Sequence, residues 1–171
     1  MKRRILLATL IVGAAHAADI SPQDQEFFMK AAAGGMAEVA AGKLAQTKGA
    51  SPEVRDFGAM MVKDHTKANE KLKSIAQGKN VTLPTEPDAK HKATQQKLEA
   101  LSGSAFDRAY VEAQVADHEA TASLLERQID AGQDPDARAF AQETLPTVSA
   151  HLATVRELST QLSGPVSRDR P

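Results

Sequence analysis

Ser51-Pro52-Glu53-Val54-Arg55-Asp56-Phe57 returns 83 residues later as Asp134-Pro135-Asp136-Ala137-Arg138-Ala139-Phe140. Each copy opens with a side-chain oxygen able to accept from the free N–H groups of a helix start, then a proline where a missing N–H costs nothing. A second matched block runs from His65 to Leu72 and from His151 to Leu158 at an offset of 86, so three residues are added between the blocks, near Leu145-Pro146. Ser21-Pro22 is a further start signal. With stops at Gly49, Gly78, Gly132 and Gly164-Pro165, this punctuation predicts long helices at about 22–47, 52–77 and 135–162, and another from near Ser104.

Only a few residues join the first long helix to the second, or the third to the fourth, so each pair reads as an antiparallel hairpin. Between Gly78 and Gly103 the connection is long: residues 81–87 hold two prolines and no helical period, and 88–101 read as a short polar helix. Two hairpins related by an internal repeat and joined by such a crossover predict an all-α fold. The connectivity is ferritin-like: a four-helix bundle with a long crossover, containing a short helix, between the second and third long helices.

The 171 residues include no Cys, and 42% are apolar, which suits one globular domain and excludes a disordered chain. Residues 1–17 read as a signal peptide: Lys2, Arg3 and Arg4 precede an apolar stretch at 5–15, and Ala15-His16-Ala17 forms an A-x-A cleavage site. That stretch is about half the ~20 residues a bilayer span needs, so no transmembrane segment is expected in the mature chain. Cleavage after Ala17 would leave a soluble periplasmic or secreted protein, with a bundle at 18–163 and a disordered tail at 164–171. It removes three cations and no acid, leaving 18 cations against 22 acids and a net charge of −4, which argues against a nucleic-acid partner. Without Cys, neither a disulfide nor a lipidated cysteine can form, and stability must rest on the core.

Val62-x-x-His65, Val115-x-x-His118 and Val148-x-x-His151 each continue to a Leu seven residues after the His. Offsets −3, 0 and +7 share one helix face, so if Val and Leu face the core, each His points inward. His91, among Lys90, Lys92 and Gln95, reads as solvated. On the first helix the inward face Phe27, Ala31, Gly35, Glu38, Gly42 and Ala45 is small except for Glu38, whose burial would demand a cation or a donor. Glu38, His65, His118 and His151 are therefore the candidate ligands of one transition metal, Zn, Cu, Ni or Fe by the imidazole-rich donor set. The four reach a common height only if the first and fourth long helices run parallel. The alternative is a metal-free buried histidine network, closed through Glu38, Tyr110, Gln114, Thr121 or Thr147, that fixes helix register. Asp64 and Asp117 lie about 100° round the helix from the adjacent His and are read as facing a groove or neighbouring helix. Pro146 reads as a bend in the last helix that wraps it round the core.

Glu38-Val39 with Gly42 and Leu44-Ala45, Val54-x-x-Phe57 with Met61-Val62-x-Asp64-His65, Phe106-Asp107-x-x-Tyr110, Asp117-His118, Phe140-Ala141 and Leu145-Pro146-x4-His151-Leu152 carry a resemblance. They resemble the exported bacterial family described as domain of unknown function 4142, over residues 19 to about 162. The resemblance implies a ferritin-like bundle in the bacterial envelope, often labelled a predicted outer membrane protein, and implies no activity. Di-iron bundles carry Glu three residues before the ligating His, whereas this chain has Val62, Val115 and Val148, so a di-iron centre and ferroxidase or oxygenase chemistry are not expected. No Cys nucleophile, G-x-S-x-G, phosphate loop or H-E-x-x-H occurs, and no catalytic residue is assigned. Beside the metal-binding reading stands a non-enzymatic envelope or stress-related interaction module, with an envelope protein or a second copy as partner.

Overall fold

The computed structural model describes residues 20–163; the expected signal peptide and the tail at 164–171 lie outside them. The described chain is all-α, with five helices and no strand: α1 (Pro22–Lys48), α2 (Pro52–Gly78), α3 (Ala89–Glu99), α4 (Gly103–Ala131) and α5 (Pro135–Ser163). The start signals act through their side chains. Ser21 Oγ accepts from the Asp24 N–H, Ser51 Oγ from the Val54 N–H, and Asp134 Oδ1 from the Asp136 and Ala137 N–H groups. At the end of α2 the left-handed residue is Asn80, with φ 56°, rather than the glycine expected to stop the helix. Asn tolerates that conformation, and the Val81 N–H returns to the Ala76 carbonyl. α5 continues as α-helix through Pro146.

Side-chain contacts fix the helix directions. Asp24 near the start of α1 meets Gln128 near the end of α4, whereas Lys48 at the end of α1 donates to the Glu99 and Leu101 carbonyls ahead of α4. Lys79, just past α2, pairs with Asp134 at the start of α5. α1 and α5 each pack on both α2 and α4, and α3 lies across α1 and α4. Each long helix is thus antiparallel to its long neighbours, and α1 runs parallel to α5.

Two apolar clusters fill the interior. One gathers Phe27, Phe28, Leu72, Leu125, Phe140 and Val148, the other Phe57, Met61, Phe106, Tyr110, Val111 and Val155. His65, His118 and His151 each fall, along their own helix, between a residue of one cluster and a residue of the other. The α1 and α2 backbones touch on the second cluster's side, where a Cβ on Gly42 would lie 2.7 Å from the Gly58 carbonyl oxygen.

The sequence repeat has a structural counterpart in how the hairpins are tied together. Asp107 accepts from the Ala50 and Ser51 N–H groups of the α1–α2 connection. Asp24, its equivalent 83 residues earlier, accepts from the Gln133 and Asp134 N–H groups of the α4–α5 connection. Burial pushes the Asp24 carboxyl up, but donors from Ser21, Gln128, Asp134 and Gln133 outweigh it and hold the group below the usual carboxylate range. A carboxylate depressed in the folded state stabilises above its unfolded pKa, and that contribution is lost as pH falls through the folded value. Asp24→Asn is expected to cost about 1–2 kcal/mol at pH 7 in urea unfolding, with the difference from wild type shrinking on acidification.

Candidate metal centre

One histidine comes from each of three long helices: His65 from α2, His118 from α4 and His151 from α5. All three are buried, and their ring centroids stand 5.5–5.6 Å apart. One nitrogen of each lies within 4.8 Å of the others, a group able to hold a metal ion. Phe57 walls the cluster on one side, with its ring centroid 6.4 Å from His118 and 6.5 Å from His151.

Hydrogen bonds divide the His118 and His151 rings into a held side and a free side. His118 Nδ1 lies 2.9 Å from the Gln114 carbonyl oxygen, to which it can only donate, and its Nε2 is buried without a partner. His151 Nε2 lies 3.1 Å from Asp64 Oδ2, and its Nδ1 is buried without a partner. His65 Nε2 is likewise buried and unpartnered. A donor proton fixed on one nitrogen leaves the lone pair on the other, so His118 and His151 present lone pairs at their orphaned atoms. Burial, reinforced by the other two histidines, pushes His65 down to about 3; burial and His151 push His118 down to about 4. His151 is also lowered by burial, against the opposing pull of Asp64. Neutral imidazoles result, the state in which histidine binds metals.

Glu38 stands outside this group of nitrogens. Its Oε1 is 3.6 Å from His118 Nδ1, on the ring's held side and beyond hydrogen-bond reach, and its Oε2 accepts from Gln114 Nε2 at 2.6 Å. Burial, opposed by the Gln114 bond and aided by Asp117, pushes its carboxyl up to about 8. His91 departs from the solvated reading: half-buried at the α3–α4 seam, it bonds Asp88 at 2.9 Å and lies 4.0 Å from Asp117. Asp64, expected to face a groove or neighbouring helix, holds His151 of α5, and Gln114, expected among the network partners, accepts from His118 through its backbone carbonyl and donates to Glu38 through its side chain. Thr147 is exposed and takes no part.

A helical protein with a buried three-histidine cluster is the class these observations define. The sequence matches the family model described as domain of unknown function (DUF4142) over residues 11–158, and the chain belongs to that family. The fold is similar to the crystal structure of a conserved hypothetical protein, rv2844, from Mycobacterium tuberculosis. That likeness has a TM-score of 0.65 at 16% identity and covers 87% of this chain and 97% of the other. No curated protein matches the sequence.

Proposed function

We propose that this protein is an exported, ferritin-like four-helix bundle that holds one transition-metal ion on His65, His118 and His151. The observation that carries the reading is the set of three buried, unpartnered nitrogens, one per histidine. A buried polar atom without a partner costs free energy, and a single cation would satisfy all three at once. Tetrahedral coordination at ~2.0–2.1 Å places ligand nitrogens about 3.3 Å apart, so closing from within 4.8 Å needs only small side-chain shifts. Asp64 and the Gln114 carbonyl serve as the outer partners that orient metal-bound imidazoles. Glu38, facing the held side of His118, has a supporting place rather than a ligating one. The donor set suits Zn, Cu, Ni or Fe, and it lacks the bridging carboxylates of a di-iron centre.

Antiparallel hairpins, a parallel α1 and α5 and the long connection carrying α3 support the bundle topology. The leader pattern at 1–17 supports export to the periplasm or beyond, and no described helix is long and apolar enough to cross a membrane. A structural histidine network, as in an envelope or stress-related interaction module, would pair the free nitrogens with each other, Tyr110 or Thr121. Tyr110 Oη has no partner either. Cobalt(II) titration tests the reading: the mature protein is expected to take up about one equivalent with tetrahedral visible bands. His118→Ala is expected to abolish that uptake; unchanged uptake by the variant would overturn the assignment.

A further inference from the structure

Resting on that metal reading, we propose that the ion keeps a fourth coordination position, on the α1 side, for a small anion that enters through a cavity beside α1. Three of the four long helices supply a histidine at this height. α1 and α4 keep one register along their length, since Asp24 and Asp107, and Gly49 and Gly132, are each 83 residues apart. By that register the α1 residue equivalent to His118 is Gly35. The position where a symmetric fourth histidine would stand therefore has no side chain.

A cavity of about 50 Å³ lies at this glycine, its lining including Lys30, Gly34, Gly35, His65, Asn69 and Thr121. Lys30 is exposed on the surface, whereas His65, the one histidine of the three among the lining residues, is only 8% exposed and carries the unpartnered Nε2. A Cβ on Gly35 would collide with Asn69 Oδ1, so the absent side chain makes room for the Asn69 carboxamide, which forms part of the cavity wall. Glu38 also borders the cavity and could compete for the position, but the Gln114 side chain holds its carboxylate at 2.6 Å.

Size and charge select the ligand. At ~10–15 Å³ per water the cavity takes roughly three to five waters, room for a ligand of a few heavy atoms and too little for a metabolite. Three imidazoles bring no charge into the ligand set, and the nearest carboxyls, Asp64 on His151 and Glu38 beside the held side of His118, stand behind the rings, which favours hydroxide or a small inorganic anion as the fourth ligand. A three-histidine site with one exchangeable position is the arrangement that binds and activates water or a substrate.

Sodium azide is the probe, added to the cobalt(II)-loaded mature protein while the visible bands are followed and the metal content is measured. The wild-type bands are expected to shift saturably. Thr121→Leu and Gly34→Leu each add bulk to the lining, and both should retain cobalt and bind azide at least about tenfold more weakly. A Cβ on Gly34 meets nothing within 4 Å, and replacing a helical glycine favours the helix, so this variant folds even if the other does not. Cobalt-loaded wild type with unmoved bands would overturn the open position, as would plugged variants that respond like wild type. Failure of the wild type to load cobalt would instead overturn the metal site beneath it.

Discussion

Glu38→Gln is expected to stabilise the metal-free protein at pH 8 by on the order of 4 kcal/mol, a gain that falls below about 1 kcal/mol at pH 5. In the folded chain, burial raises the carboxyl from its ordinary value of 4.5 to about 8. Between those values the unfolded chain is ionised while the folded chain keeps the proton. Folding therefore takes up a proton, and wild-type stability falls as pH rises from about 4.5 towards 8. Glutamine has nearly the same shape, retains an oxygen to accept from Gln114 and never ionises, so the variant escapes that loss. Urea unfolding of both proteins in the presence of chelator at pH 5 and pH 8 measures the difference. A gain equal at the two pH values, or a loss at pH 8, would contradict the buried, uncompensated placement of Glu38.

Saturating zinc is expected to raise the melting temperature of the mature protein by roughly 5–10 °C. Ligand at a hundredfold excess over its dissociation constant stabilises the folded state by about 2.7 kcal/mol, and each kcal/mol moves the midpoint of a domain this size by ~2–4 °C. The histidines are positioned to bind only when folded, so the metal adds its free energy to folding. Chelator should reverse the shift, and the variant with His65, His118 and His151 all changed to Ala should show none. An equal shift in the triple variant would place the zinc on the exposed carboxylates instead.

The histidine cluster was legible because Val and Leu at −3 and +7 put His65, His118 and His151 on the core faces of their helices, a one-helix argument that needs no partner. Leu72, Leu125 and Leu158 are all buried; Val148 is too, while Val62 and Val115 are half-buried. Helix starts were legible for the same local reason. Pairing between helices was not. Asp64 sits off the core face of α2, and its bond to His151 depends on how α5 lies against α2. Gln114 gains its double role only when α1 brings Glu38 to its height. His91 sits among lysines in sequence, yet Asp88 at the start of its own helix bonds it, and the packing of α3 against α4 brings Asp117 within 4.0 Å. The small inward face of α1 marks Glu38 as buried, but its place beside the held Nδ1 of His118, outside the group of three nitrogens, depends on how α1 lies against α4.

Elemental analysis of the tag-free mature protein, purified without chelator, beside the His65→Ala, His118→Ala, His151→Ala triple variant tests the central claim most directly. Close to one transition metal per chain in the wild type and none in the variant is the result this account expects. Equal trace metal in both proteins would contradict it.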